Sequence, residues 1–372
     1  MKGKTVIAKP VSIACNARCD YCYNLTTSFR TTKVTPRMSV DTAMRMQEEL
    51  LRLGYDRVRM IWHGGEPLLR GMPFYAEVVS RQEQLRQDHP GVRIENGMQS
   101  NLTLLDEAWC VFFKEHHVVV GTSLDGWAEL HNAHRTYPNG SGVFNDAMRG
   151  LKLADQHGIL GGFIAVVTDQ TVKQDPKVFF EYLVSACPRA EITPCWEAGD
   201  DKDQVYTVKP EQFLPFVTEM FDAWWAMNDP GRRVRMFDGL MQALLGGQDF
   251  TCSFKGNCGD FLALEADGSV YPCGKFSGVP EFLLGNVNRQ GLDEILAHPS
   301  YAEFLELRTN LPPKCEACRW KRICNNGCSF ERYLGGWRFA EVAPFCEVWD
   351  GLYAHVQGRI QVLQAALAER QA

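Results

Sequence analysis

Between Thr5 and Cys195 six short β-rich apolar runs alternate with five helical stretches, each run followed by a polar break. The runs cover 5–13, 58–62, 92–98, 118–123, 162–168 and 191–195. The helical stretches cover 40–53, 73–86, 106–116, 144–157 and 177–186. Parallel strands need a crossover between them, so this alternation predicts an α/β fold with a parallel sheet and its helices outside. Six units make an incomplete version of the eightfold barrel, open along one side. In such barrels the chemistry gathers where strands end. The polar motifs fall there. The loop from Cys15 to Cys22 follows the first run, His63-Gly64-Gly65-Glu66-Pro67 the second and Gln99-Ser100-Asn101 the third. Ser123-Leu124-Asp125-Gly126 follows the fourth, and Cys195-Trp196 ends the sixth.

Composition narrows the class. Of 372 residues, 45% are hydrophobic and 23% charged, ordinary for a soluble protein with ample core. The net charge of −6 carries no basic footprint for nucleic acid. No run reaches the roughly 18 apolar residues that span a bilayer. The N-terminus enters a strand pattern without a signal-peptide core or cleavage site, so a cytoplasmic protein is expected. Fourteen cysteines in such a chain read as thiolate ligands rather than a disulfide framework. Eight lie between Cys252 and Cys346, which marks a separate metal-bearing module. The expected division is a barrel over 1–208, bridging helices over 209–248 and a cysteine-rich module over 249–372. That module should hold a hairpin over 261–265 and 269–271, turned by Asp267-Gly268, a helix over 292–308 and a last helix over 346–368.

Cys15, Cys19 and Cys22 sit in Cys15-Asn16-Ala17-Arg18-Cys19-Asp20-Tyr21-Cys22. An iron–sulfur cube normally takes four thiolates. A loop with three leaves one iron open to a small molecule. Zinc also takes cysteines at short spacing, but it wants a fourth ligand nearby and usually a C-x2-C pair. Cys315-x2-Cys318-x5-Cys324-x3-Cys328, with Cys346 beyond and Cys252, Cys258 and Cys273 before, fits either a zinc knuckle or further clusters when read alone. Cys110 lies on a core helix face, Cys187 ends a helix, and Cys195 ends a barrel strand.

The C-x3-C-x2-C spacing, with Tyr21 before its last cysteine, resembles the radical S-adenosylmethionine (SAM) superfamily, and the eight later cysteines resemble its SPASM domain. The resemblance implies a partial (β/α)6 radical SAM barrel with a C-terminal SPASM domain, in which the open iron chelates SAM and an electron from the cluster releases a 5'-deoxyadenosyl radical. It implies SAM contacts from Tyr21, Gly64, Gly65, Glu66, Ser100, Asn101 and Ser123, with Arg135 on the SAM carboxylate. It also implies two auxiliary clusters, one on Cys252, Cys258, Cys273 and Cys328 and one on Cys315, Cys318, Cys324 and Cys346. The total is three 4Fe–4S clusters.

In layout the chain resembles anaerobic sulfatase-maturating enzymes, which make formylglycine using an aspartate just after the third auxiliary cysteine as base. Here Cys273 is followed by Gly274, and Tyr23-Asn24 replaces the aromatic pair of that group. The segment from Ile61 to Leu68 looks more like maturases that join an aromatic ring to a neighbouring β-carbon in ribosomally made peptides (cyclophanes). Cyclophane formation is therefore the leading expectation, with Asp125, Glu66 and Asp238 as candidate bases for the ring proton. Formylglycine, thioether formation, and epimerisation through Cys195 are the alternatives. The expected partners are a peptide or protein substrate and reduced flavodoxin or ferredoxin as electron donor. With the first run starting near Thr5, no leader-recognition domain is expected ahead of the barrel.

Overall fold

Strand β1 (Gly3–Ala8) begins the sheet, and β2 (Arg57–Trp62), β3 (Arg93–Gln99) and β4 (Val119–Ser123) follow it side by side, all parallel. The computed structural model describes residues 2–24, 36–196, 206–248, 251–307, 309–334 and 341–371. The crossovers are helices α1 (Val40–Arg52), α2 (Met72–Asp88) and α3 (Glu107–Glu115). Ser39 caps α1 by accepting from the Thr42 amide (3.1 Å), and Asp106 caps α3 by accepting from that of Trp109 (2.9 Å). Such caps satisfy amides that the first turn leaves without a partner. Along β1 and β2 alternate side chains are buried, among them Val6, Ala8, Val58, Met60 and Trp62.

The chain forms two compact units. The first runs up to Gly162 and takes in Cys258–Glu306; the second holds Phe163–Asn257 and the chain from Leu307 onward. In the first unit, α4 (Ala128–His134) and α5 (Phe144–Gln156) follow β4. Strand β5 (Leu160–Val167) carries the boundary. Within the second unit its later residues pair in parallel with β6 (Arg189–Pro194) after crossing through α6 (Pro176–Ala186), and β6 pairs with Arg233–Val234.

The structure departs from the sequence reading at three places. The first strand stops at Ala8, because Pro10 has no amide hydrogen and Ser12 takes a left-handed conformation (φ 52°) in a turn closed onto the Lys9 carbonyl. The region read as bridging helices holds α7 (Pro210–Met227) and α8 (Arg235–Leu244), separated after left-handed Asn228. The expected helix over 292–308 is broken into α9 (Leu292–Leu296) and α10 (Pro299–Glu306), since Pro299 cannot continue a helix but starts one well. The hairpin of β7 (Phe261–Leu264) and β8 (Ser269–Tyr271) is not detached. β7 lies parallel to β1 with Thr5 opposite Phe261, so it extends the first unit's sheet, and β9 (Gly285–Asn286) pairs with β8. Among the described residues no helix is long and apolar enough to cross a membrane.

Candidate active site and cluster-binding cysteines

The cysteine loop and the glycine loop are built against each other. Beyond β2, amides of the second loop run along the first: His63 donates to the Ala8 carbonyl, Gly65 to that of Ser12 and Glu66 to that of Ala14, each at 2.8 Å. The approach leaves no room for side chains. A Cβ on Gly65 would lie 1.9 Å from the Ala14 carbonyl oxygen, and Gly64 sits at φ 107°. These glycines are therefore required by the packing of the two loops, whatever else they face.

Glu66 is fully buried and ties that loop to the end of β3. Its carboxyl oxygens accept from the Leu68 amide (3.0 Å), the Ser100 hydroxyl (2.9 Å) and the Asn101 amide (2.8 Å). Burial pushes its pKa up to about 7, against these three donors. Asn101 continues the link, donating through Nδ2 to Asn16 Oδ1 (2.9 Å) and to Cys15 Sγ (3.8 Å), while the Ala17 amide points at the same sulfur (3.4 Å). Ser123 ends β4, half-buried.

Asp125, Tyr21 and Arg135 form one knot beside Cys19. The Arg135 fork donates to both Asp125 oxygens, Nε at 2.6 Å and Nη2 at 3.2 Å, and the Tyr21 hydroxyl donates to the same carboxylate. The third guanidinium nitrogen, Nη1, lies 4.0 Å from Cys19 Sγ, and the guanidinium sits 5.2 Å from the Tyr21 ring centre. Burial alone would raise the Asp125 carboxyl, but Arg135, His131 and Tyr21 together hold it below the usual carboxylate range. Burial likewise lifts the Cys19 thiol; Arg135 opposes that and Asp125 adds to it. His131 stays neutral, pushed to about 4 by burial, and its Nδ1 accepts from the Asp125 amide (3.3 Å).

These contacts bear on two expectations. Arg135, expected on the SAM carboxylate, here donates to Asp125. Each of the three candidate bases already accepts hydrogen bonds: Asp125 from Arg135 and Tyr21, Glu66 from three donors, and Asp238, in the second unit, from Arg233 (2.7 Å). Gly274 lies in a buried turn where a Cβ would meet the Ile7 side chain at 3.1 Å.

A further cluster was not anticipated from the sequence. Lys9 is fully buried at the end of β1, and its ammonium meets Glu265 Oε1 (3.3 Å) and Asn24 Oδ1 (3.0 Å). Ser12 donates to the other Glu265 oxygen (3.1 Å), and Asn24 Nδ2 donates to the Gly64 carbonyl (3.1 Å). One buried network thus holds both flanks of the cysteine loop, the glycine loop and the hairpin. Half-buried His63 borders it. Desolvation and then the Lys9 charge push its pKa to about 4, and its Nδ1 accepts from the Gly64 amide (2.7 Å), which leaves the proton on Nε2. The available signal was a lysine ending an apolar strand immediately before the cysteine loop.

All fourteen cysteines lie among the described residues, none in a disulfide. In the second unit Cys315, Cys318, Cys324 and Cys346 line one cavity of about 360 Å³ together with Trp320, Asn326 and Tyr353. The Trp320 amide points at Cys318 Sγ (3.4 Å). Burial pushes the Cys324 thiol up to about 12 despite hydrogen bonds from the Asn326 and Gly327 amides, so that sulfur becomes a thiolate only with a cation beside it. Among the described residues no three Cys, His, Asp or Glu groups close on a point as a single metal ion requires. Four thiolates spread around a cavity, with amides aimed at sulfur, suit a cluster better than zinc. Cys258 and Cys273 belong to the first unit, Cys252 and Cys328 to the second. Of the remaining three, Cys110, Cys187 and Cys195 are buried.

Residues 10–180 match the model of the radical SAM superfamily, and residues 252–319 match that of the SPASM iron–sulfur cluster-binding domain. The chain is 30% identical, over 88% of its length and 89% of the relative's, to a cysteine-type anaerobic sulfatase-maturating enzyme of Clostridium perfringens. It is 29% identical to a serine-type counterpart of Bacteroides thetaiotaomicron, over 99% of this chain and 92% of that one. Among solved structures it is similar to anSMEcpe with bound AdoMet, with a TM-score of 0.86 at 26% identity, covering 98% of this chain and 99% of the other.

Proposed function

Because the chain belongs to the radical SAM superfamily, in the SPASM-bearing group that includes the anaerobic sulfatase-maturating enzymes, we propose that it matures a ribosomally made peptide by joining an aromatic ring carbon to a side-chain β-carbon. It is an enzyme of that group, acting on peptide or protein substrates with three 4Fe–4S clusters and SAM as cofactors. When bound, the cluster and SAM supply a 5'-deoxyadenosyl radical that takes a hydrogen atom.

The protein's own share is placement. Cys15, Cys19 and Cys22 hold the first cluster, with Tyr21, Gly64, Ser100, Asn101 and Ser123 around SAM. Cys315, Cys318, Cys324 and Cys346 hold one auxiliary cluster, and Cys252, Cys258, Cys273 and Cys328 the other. The abstracted β-hydrogen leaves a carbon radical that attacks the ring; the ring then gives up a proton and one electron, for which the auxiliary clusters, when bound, would supply the acceptor. Asp125, Glu66 and Asp238, each already accepting hydrogen bonds, are the candidate acceptors for the ring proton. Reduced flavodoxin or ferredoxin is the proposed donor for the first cluster.

The observation that carries this reading is Gly274, which stands where formylglycine chemistry calls for a carboxylate and where a Cβ would press on the Ile7 side chain at 3.1 Å. A second reading, formylglycine formation, is favoured by the 30% identity to a sulfatase maturase over most of both chains. The deciding experiment is anaerobic turnover of two peptides followed by tandem mass spectrometry. One carries a sulfatase Cys-x-Pro-x-Arg sequence; the other is the product of a short open reading frame adjacent to this gene. A ring-to-β-carbon link with loss of two hydrogens in the second supports the proposal. Formylglycine in the first overturns it.

A further inference from the structure

Cys19 has a charged partner placed on it by the fold. The two-residue strand Arg18–Cys19 pairs antiparallel with Arg135–Thr136, and Cys19 stands directly opposite Arg135 in that register. The pairing is fixed from behind. Thr136 bridges to Gly142, and Asn132 Oδ1 accepts from the Phe144 amide (2.9 Å), with Gly142 packed so closely on Asn132 that a Cβ would lie 2.1 Å from it. Arg135 and Asp125 are both almost wholly buried, their side chains 11% and 3% exposed. A fully desolvated ion pair is retained at a cost unless its field is used or its geometry is satisfied. Here two of the three guanidinium nitrogens satisfy Asp125, and the remaining one faces sulfur at 4.0 Å.

We propose that the Asp125–Arg135 pair sets the reduction potential of the cluster held by the cysteine triplet, Arg135 raising it through its N–H toward the Cys19 thiolate and Asp125 limiting how much positive charge arrives there. The proposal rests on the reading of Cys15, Cys19 and Cys22 as cluster ligands. Cluster potentials follow net charge, hydrogen bonds to sulfur and solvent exposure, and a donor in a dry site acts more strongly than one in water. An extra electron on the cluster is favoured by the cation and disfavoured by the anion, so the two residues pull in opposite directions. Asp125 thereby acquires a role that needs no proton transfer.

The test is an EPR-monitored redox titration of the full chain, reconstituted without oxygen, following the signal that changes when SAM is added. Arg135→Gln should move the midpoint of that signal to lower potential and Asp125→Asn should move it higher, with iron per chain unchanged. Arg135→Lys keeps the charge but loses the fork, and its midpoint should fall between those of wild type and Arg135→Gln. Shifts of the same sign in Arg135→Gln and Asp125→Asn, or no shift in either, would overturn the proposal. If Arg135→Gln fails to retain iron, Asp125→Asn decides alone: a higher midpoint supports the proposal, and an unmoved or lower one refutes it. Failure of the underlying reading looks different, since wild type itself would then show no SAM-responsive signal.

Discussion

Replacing Lys9 by Met is the perturbation that most directly tests how the cysteine loop is held. The lysine and Glu265 side chains are 1% and 9% exposed, so removing the ammonium strands a buried carboxylate beside the Ser12 hydroxyl. Breaking a buried pair by deleting one partner costs about 3–5 kcal/mol. That loss is a large part of the ~5–15 kcal/mol by which a domain is usually stable. The assay is urea unfolding of the reconstituted protein under anaerobic conditions, comparing midpoints at a shared slope. Replacing both residues (Lys9→Met with Glu265→Leu) should cost less than Lys9→Met alone, because no charge is then stranded. That non-additivity is what contact predicts. A loss under about 1 kcal/mol for Lys9→Met, or strict additivity in the double variant, would show that the pair is not the desolvated contact described above.

Three further outcomes follow from the same geometry. Gly65→Ala places a methyl 1.9 Å from the Ala14 carbonyl oxygen, so the variant should lose the SAM-responsive EPR signal while the auxiliary signals persist; full retention would contradict the packing argument. Wild type should carry roughly twelve irons per chain and the Cys315→Ala/Cys324→Ala variant roughly eight, measured by iron assay, and unchanged iron in the variant would remove the second-unit cavity as a cluster site. Glu66, raised by burial from 4.5 to about 7, contributes stability that is complete below pH 4.5 and lost as pH rises through about 7. His63 and His131, lowered to about 4, contribute in the opposite sense, with stability present above 6.5 and lost as pH falls toward 4. The stability of wild type relative to Glu66→Gln should therefore fall with pH by about 1.4 kcal/mol per unit between roughly 5 and 7; a flat difference would mean Glu66 titrates normally.

How much of this was legible beforehand depends on the range of the interaction. The βα alternation reads directly because periodicity is a local property, and β1 to β4 appear where apolar runs stand. Cysteine spacing is also a local property, and it singles out Cys315, Cys318, Cys324 and Cys346, which line one cavity. What stayed hidden was the identity of each polar group's partner. Nothing local links Lys9 to Glu265 or tells that β7 will pair with β1; both depend on a return of the chain after more than half its length. The two-residue pairing that sets Arg135 opposite Cys19 is too short to leave any periodic trace. Asp125 shows the same limit. A carboxylate at a strand end reads as a candidate base before its partners are known, and the three donors that Arg135 and Tyr21 bring to it leave no trace in the local sequence. Strand-end position therefore locates the site, but the hydrogen-bond accounting decides which chemistry each side chain there retains.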